Sequence, residues 1–274
     1  MAAEGNVDLI VHDTFFRDGE IGVLVEVGAA RPDYLSISAS YRSSGWRIIA
    51  IEPNPNFCAA HRALGYDVLQ YACSDEDADG VPFSVVDSRG VQYQDGKLSY
   101  ESFSSLGIER DKALLATLPD LTVTTIPVQV RRLDTILAQH APDIGEIDVL
   151  AVDVEGWELR VMRGIDLTKY RPKVVILENP CDDAGYLSFM RDAGYIYWKH
   201  IDINDVYIRA DMKPFIPPRP MREVAREWLI RAGLLEVVRN VKRAQVRAEP
   251  KPAGADWWMA GIADACRRTP PPKT

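Results

Sequence analysis

The sequence predicts an α/β fold: a doubly wound, mostly parallel sheet with helices on both faces, followed by a helical C-terminal extension. Short apolar runs alternate with segments of helical period over roughly the first two hundred residues. These runs are apolar throughout, which is typical of parallel strands buried on both faces. A proline-rich stretch and a basic amphipathic segment then set the C-terminal part apart.

Several runs have the composition of buried strands, and the segments between them have the period of amphipathic helices. The predicted strands are 23–27, 47–51, 67–72, 123–130, 147–152 and 173–178, and the predicted helical segments are 31–45, 55–65, 131–140, 155–164 and 182–194. Two further runs, 195–200 and 205–210, are joined by a short polar turn. We expect them to form a hairpin that gives the sheet an antiparallel edge.

The remaining segments divide the chain. Residues 87–112 are polar with interspersed aromatic side chains, so they form either a surface loop or a lid over a site. We assign residues 1–212 to the α/β domain, 213–220 to a stiff proline-rich linker and 221–274 to a helical extension with a flexible tail. The helix of the extension could contact an anionic membrane or a partner, or pack on the main domain or on a second subunit in a homodimer.

Composition and charge narrow the function classes. The net charge of −8 does not favour a nucleic-acid partner, and no apolar stretch reaches the roughly 20 residues of a membrane-spanning helix. The N-terminus lacks the basic and apolar regions of a secretory signal. Cys58, Cys73, Cys181 and Cys266 lie far apart, which argues against a zinc site or a disulfide framework. We therefore expect a cytoplasmic protein.

The first predicted strand runs into a tight turn. Gly28 permits that turn and a close approach of backbone to a ligand, and Ala29 keeps the turn small. The glycines that bare backbone amides to a pyrophosphate are missing, since the stretch does not read GxGxxG. Glu26, just before the turn, would repel a phosphate and attract a cation.

The next strands also end in polar residues. Glu52 follows the second strand, where an acid can accept hydrogen bonds from both hydroxyls of a ribose. Ser74 and Asp75 follow the third, where they could hold an adenine. An acid, a turn of small residues and no phosphate cradle favour a positively charged nucleoside without phosphates. S-adenosylmethionine fits that description.

Five stretches carry a resemblance to the FkbM family of S-adenosylmethionine-dependent methyltransferases. The resemblance implies a Rossmann-like class I methyltransferase fold for the α/β domain and methyl transfer, usually to oxygen, on sugars, polysaccharides or polyketide-type natural products. The family's first motif commonly reads D-x-G-A-N-x-G, and here Glu26, Ala30 and Pro32 occupy the acid, Asn and second Gly positions. The stretches are "VLVEVGAARPDYLS", "IIAIEPNP", "VQVRRLDTIL", "IDVLAVDVEGWELRVMRG" and "KVVILEN".

Acids also stand at the ends of the predicted strands 147–152 and 173–178. In the usual strand order of such folds, Asp153 and Glu178 end neighbouring strands, so they should converge with Asn179 over one crevice. These oxygen donors suit Mg²⁺, which could acidify an acceptor hydroxyl. In a metal-free alternative, Glu155 or Asp153 is the general base. We also place Asp153 beside the cofactor.

The sequence does not decide the roles of two further side chains, Glu158 and His61. Glu158 either caps its helix or pairs with Arg160 or Arg163, or it lies on a solvated helix face. His61 falls in a predicted helix with no chemical companions.

The function predicted from the sequence is methyl transfer to a hydroxyl of a sugar, an oligo- or polysaccharide, or a glycosylated natural product. Two alternatives stay open: an NAD(P)-dependent oxidoreductase, which the missing phosphate glycines oppose, and a non-catalytic nucleoside-binding interaction module.

Overall fold

The computed structural model describes residues 3–17, 19–88, 92–93, 98–106 and 121–215. The predicted helical extension lies outside the described residues, as do most of the predicted linker and residues 89–91, 94–97 and 107–112 of the predicted lid. The membrane, partner and homodimer contacts predicted for the extension therefore fall outside them too.

Strands and helices alternate along the described chain much as the sequence predicts. The strands are β1 (Val23–Val27), β2 (Arg47–Ile51), β3 (Ala72–Cys73), β4 (Ala78–Asp87), β5 (Gln92–Tyr93), β6 (Leu98–Ser99), β7 (Thr122–Arg131), β8 (Val149–Val152), β9 (Val174–Glu178), β10 (Tyr195–Ile201) and β11 (Asn204–Arg209). The α-helices are α1 (Val7–Phe15), α2 (Ser38–Ser43), α3 (Pro55–Ala63), α4 (Leu133–His140), α5 (Glu158–Arg163) and α6 (Ala184–Asp192). Short 3₁₀ turns cover Glu4–Asn6, Tyr100–Phe103 and Ala210–Phe215.

The main sheet has six strands in the order β10-β11-β9-β8-β1-β2. β2, β1, β8 and β9 run parallel, and β11 pairs antiparallel with both β9 and β10. The predicted doubly wound sheet with an antiparallel hairpin at its edge is confirmed. Strand order reverses between β1 and β8, so the crevice above their carboxyl ends is the place where open α/β sheets bind ligands.

A smaller sheet, in the order β3-β7-β4, stands beside the main one. Residues 123–130 do form a strand, but β7 pairs with β4 and β3 and not within the main sheet. The third predicted strand, 67–72, pairs with the main sheet through an isolated bridge from Leu69 to Ile51 and is not one of its strands. β4 is not predicted, because Gly80 and Pro82 interrupt its apolar pattern.

Apolar residues cover both faces of the main sheet, as a doubly wound fold requires. On one face, residues such as Val25, Leu150 and Val175 join the apolar sides of α4, α5 and α6 in one core. On the other, Leu24, Val149 and Ile176 pack with residues of α1 and α2 in a second core; those of the helices are Val7, Val11, Phe15 and Tyr41. α1 is an element that the prediction missed.

The structure also bears on the expectations about membrane-spanning helices and about the cysteines. No helix among the described residues combines the length and apolarity needed to cross a bilayer. Cys58 and Cys73 are free, but Cys181 is disulfide-bonded. The wide cysteine spacing therefore does not exclude a disulfide, and it does not support the cytoplasmic location expected from the sequence.

Candidate active site

A cavity of about 630 Å³ opens at the carboxyl ends of β1, β2 and β8. The small sheet forms the wall across from these strand ends. Residues 104–106, within the predicted lid segment, contribute to the same wall, and Ser105 bridges to Ser84 of β4. The lining residues are Val27, Gly28, Ala30, Glu52, Pro53, Phe57, Tyr71, Ala72, Cys73, Phe83, Ser104, Ser105, Leu106, Asp153, Val154, Glu155 and Trp157.

The turn after β1 is pinned by backbone contacts. The N–H groups of Gly28 and Ala29 both donate to the carbonyl of Ile51, at 3.0 and 3.1 Å. Gly28 has φ of +82°, and a Cβ placed there would lie 1.7 Å from the carbonyl oxygen of Asp153. Gly28 lines the cavity, and glycine is required there because the backbone closely approaches the end of β8.

The two alanines after Gly28 face different surroundings. Ala29 packs in a small apolar cluster with Ala50, Cys58 and Val68 and does not line the cavity. Ala30 does line it and adopts a left-handed conformation, with φ of +42°. Of the predicted cofactor turn, Gly28 and Ala30 therefore face the cavity and Ala29 supports it from behind.

Glu52 occupies the cavity wall at the end of β2. Its Oε2 accepts the N–H of Ala30 at 2.9 Å and its Oε1 accepts the N–H of Asn54 at 2.7 Å. Burial raises the pKa of this carboxyl to about 7; the two amide hydrogen bonds oppose the shift, and the charge of Glu26 adds to it. Glu52 is thus a fixed acceptor facing the cavity, as predicted.

Glu26 lies just behind that wall and is buried. Its Oε1 accepts the N–H of Ser38 at 3.2 Å, while its Oε2 has no hydrogen-bond partner in the described part of the chain. Burial raises the pKa of Glu26 to about 7, against the lowering effect of the Ser38 hydrogen bonds. A buried acceptor of this kind would gain from a cationic group brought near it.

Ser74 and Asp75 are not brought to the cavity. Ser74 Oγ donates to Asp75 Oδ1 at 3.0 Å, and the same oxygen accepts from Arg160 Nη1 at 3.5 Å. The Arg160 guanidinium in turn lies over the ring of Trp157, 4.5 Å from its centroid. The structure therefore places these two predicted adenine contacts behind the wall, which at this position consists of Tyr71, Ala72 and Cys73.

Three carboxylates lie close together beside the cavity, and two of them, Asp153 and Glu155, line it. Asp153, Glu155 and Glu178 each offer an oxygen, and these oxygens all lie within 4.8 Å of one another. We call this group the carboxylate cluster. Burial raises the pKa of Asp153 well above its usual range, and the charges of Glu155, Glu4 and Glu158 raise it further. The protonated form of Asp153 is thereby favoured more than that of a solvent-exposed aspartate.

The amide of Asn179 is hydrogen-bonded to the loop after β9 and to Asp205 of β11. Its Nδ2 donates to Asp205 Oδ2 at 2.8 Å and to the Asp183 carbonyl at 3.2 Å. Its Oδ1 accepts the N–H of Asp183 at 2.8 Å. Glu155, which the sequence suggests only as a base, contributes the third oxygen of the carboxylate cluster.

The loop that carries Glu155 is held by Glu158. Glu155 and Gly156 both adopt left-handed conformations, with φ of 58° and 96°. Glu158 is fully buried; its Oε1 accepts the N–H groups of Val154 and Gly156, at 3.0 and 2.9 Å. Its Oε2 accepts the hydroxyl of Tyr186 at 2.5 Å. Glu158 is neither solvated nor paired with arginine, and the role of Tyr186 was not predicted.

Comparison with known proteins agrees with the resemblance to the FkbM family that the five sequence stretches carry. Residues 26–197, more than half of the chain, match the sequence model of the Methyltransferase FkbM domain. The chain belongs to the FkbM methyltransferase family. No curated protein matches it. Among solved structures, an FkbM methyltransferase from Methylobacillus flagellatus KT is similar, with 13% identity, a TM-score of 0.38 and coverage of 68% of this chain and 43% of that chain.

The cavity of this FkbM methyltransferase has two chemically distinct ends. Near β2, a fixed acceptor at Glu52 stands among apolar side chains such as Pro53 and Phe57. Near β8, the carboxylate cluster offers oxygen atoms that could take up a proton or surround a cation. A transferase needs one place for the molecule that gives the transferred group and another for the molecule that receives it.

Proposed function

We propose that this protein transfers a methyl group from S-adenosylmethionine to a hydroxyl of a sugar, an oligo- or polysaccharide, or a glycosylated natural product. One observation carries the proposal: the same cavity is lined by Glu52 and by Asp153 and Glu155 of the carboxylate cluster. Family membership supports methyl transfer, and the absence of a glycine-rich phosphate cradle argues against a dinucleotide.

In this proposal the nucleoside lies along the β1–β2 side of the cavity. The carboxylate of Glu52 accepts hydrogen bonds from the ribose hydroxyls. Pro53, Phe57 and Tyr71 offer apolar and aromatic surface to the adenine, in place of the predicted Ser74 and Asp75. Glu26 attracts the positive charge of the methionine part through its buried carboxyl.

The acceptor approaches the carboxylate cluster. Methyl transfer is a direct displacement: the acceptor oxygen bonds to the methyl carbon from about 3 to 3.5 Å while the carbon–sulfur bond breaks and its electron pair stays on sulfur. The hydroxyl proton must leave, and a carboxylate of the cluster takes it. We assign this base role to Asp153 or Glu155, which line the cavity, and the positioning of these two side chains to the neighbouring Glu178.

The same cluster fits a divalent cation. Three carboxylate oxygens close together are the hard donors that Mg²⁺ prefers, so Asp153, Glu155 and Glu178 would hold it. A Mg²⁺ ion bound there would lower the pKa of an acceptor hydroxyl. We expect activity to fall in EDTA and to return with Mg²⁺; full activity in chelator would remove the metal from the proposal.

Calorimetric titration with S-adenosylmethionine, S-adenosylhomocysteine and NAD tests the proposed cofactor. We expect both sulfur compounds to bind and NAD to give no signal. Tight NAD binding with no response to the other two would instead support the oxidoreductase alternative. A nucleoside-binding module without catalysis would gain support if S-adenosylhomocysteine bound and Asp153→Ala and Glu178→Ala left every measurable function unchanged.

A further inference from the structure

A buried histidine lies beneath the cofactor turn. His61 belongs to α3 and is fully buried. Its Nε2 lies 3.1 Å from the carbonyl oxygen of Ala30. A carbonyl can only accept, so Nε2 must carry the proton and donate it. Nδ1 has no hydrogen-bond partner in the described part of the chain.

The residue that His61 contacts is conformationally demanding. Ala30 has φ of +42°, in the left-handed region that residues with a Cβ rarely occupy. Such a conformation persists only where its surroundings hold it. Here both polar groups of Ala30 are held, since its N–H donates to Glu52 Oε2 at 2.9 Å and its carbonyl accepts from His61.

The helix that carries His61 is itself tied to Glu52. Asn54 caps α3 through its side chain, and its own N–H donates to Glu52 Oε1. One turn before His61, the thiol of Cys58 donates to the backbone carbonyl of Glu52 at 3.1 Å. His61 is therefore part of a short rigid path from α3 through Ala30 to the Glu52 carboxylate.

We infer that His61 is a positioning residue for the cofactor: its hydrogen bond holds Ala30 in the left-handed conformation and thereby aims the Glu52 carboxylate at the ribose. The inference rests on the proposed function for the identity of the ligand. His61 does not line the cavity, so it acts on the ligand through the backbone of the turn.

The electrostatic surroundings suit a neutral imidazole. Burial lowers the pKa of His61 and Arg42 lowers it further, while the hydrogen bond to Ala30 and the charge of Asp33 act in the opposite direction. Neutral His61 needs only one acceptor, which the Ala30 carbonyl supplies.

The test compares three variants by calorimetric titration with S-adenosylhomocysteine. His61→Met keeps similar bulk and loses the donor, so we expect affinity to fall about five- to tenfold, the usual effect of one neutral hydrogen bond. His61→Gln places an N–H donor near the position of Nε2 and should keep affinity within about threefold of the native protein. Adding Ala30→Gly to His61→Met should recover most of the loss, because glycine adopts a positive φ without help.

The rescue separates positioning from general stability. Native affinity in His61→Met, or no recovery on adding Ala30→Gly to a folded His61→Met protein, would overturn the inference. Nitrogen-15 spectra of the histidine rings give a readout that needs no cofactor: at pH 7 they should show His61 protonated at Nε2 alone. Protonation at Nδ1 alone would overturn the inference even if the native protein failed to bind S-adenosylhomocysteine, an outcome that counts against the proposed function instead.

Discussion

At the scale of single residues, burial raises the pKa of several carboxyl groups in and beside the cavity. Glu26 and Glu52 each have a pKa of about 7, and the pKa of Asp153 lies well above its usual value. A cation brought beside such a group favours its ionised form and lowers its pKa. Binding of a cationic nucleoside should therefore change how many protons the protein holds.

We predict that S-adenosylhomocysteine, through its ammonium group, releases protons when it binds at pH 7. The apparent binding enthalpy should then differ between buffers of different ionisation enthalpy, and the difference gives the number of protons released. Glu26→Gln should reduce the release, because the amide has no proton to lose in this range. Identical enthalpies in all buffers for the native protein would contradict the place we give Glu26.

We predict that Asp153→Asn lowers the rate of methyl transfer at least about a hundredfold, since a positioned base contributes at least that much. The affinity for S-adenosylhomocysteine should fall far less. The measurement is transfer of labelled methyl from S-adenosylmethionine to a panel of glycans and glycosylated natural products. A variant as active as the native protein would exclude Asp153 as the base and leave Glu155.

The sequence predicted much of this site and missed its finer geometry. Convergence of Asp153 and Glu178 follows from strand order, which the motifs indicate. Glu155 joins them because of a left-handed backbone that no local pattern announces. The side chain of Asn179 donates a hydrogen bond to a buried acid, Asp205, and this long-range contact has no local sequence pattern.

At the scale of elements, the loop between β8 and α5 decides where Glu155 points. Glu158 accepts three hydrogen bonds, two from the loop's amides and one from Tyr186. We predict that Glu158→Gln lowers the free energy of unfolding by about 1 to 3 kcal/mol, since an amide cannot accept all three. Urea unfolding measures this. Tyr186→Phe should cost less, and an unchanged midpoint in Glu158→Gln would contradict the role.

The turn after β1 offers a sharper steric test. Gly28→Ala would force a Cβ into the carbonyl of Asp153, so we predict loss of S-adenosylhomocysteine binding and a large loss of stability. Gly145→Ala is the matched control, because a Cβ there meets nothing within 4 Å. Equal thermal midpoints for the two variants would show that β1 and β8 do not meet as described.

Elements with strong periodicity were predictable and those with mixed signals were not. The strands of the main sheet are short apolar runs, and their positions agree with prediction within a few residues. β4 contains glycine and proline, so its pairing with β7 depends on tertiary context. α1 has apolar residues at helical spacing, Val7, Val11 and Phe15, so its signal is present in the sequence.

At the scale of the whole molecule, buried acids should make the fold less stable as pH rises. Glu4, Glu26 and Glu52 have pKa values near 7 in the native state against about 4.5 when unfolded. Between these values the native state holds more protons than the unfolded state, so raising the pH lowers stability.

We predict that the free energy of unfolding is higher near pH 5 than near pH 7.5, by on the order of 3 kcal/mol at most for each group. Urea unfolding at the two pH values measures the difference, and Glu26→Gln should reduce it. Stability that rises over this range would show that these carboxyls are ionised in the native protein.

The architecture as a whole was predictable because parallel strands, crossing helices and an antiparallel hairpin each leave a pattern in the sequence. The small sheet was not, because it joins β3, β4 and β7 across long stretches of chain. That sheet nevertheless supplies one wall of the cavity.

A crystal structure with S-adenosylhomocysteine tests the central claim most directly. We expect its ribose hydroxyls against Glu52 and its sulfur facing Asp153, Glu155 and Glu178. A nucleoside bound away from β1 and β2, or a sulfur directed away from these three carboxylates, would contradict the account.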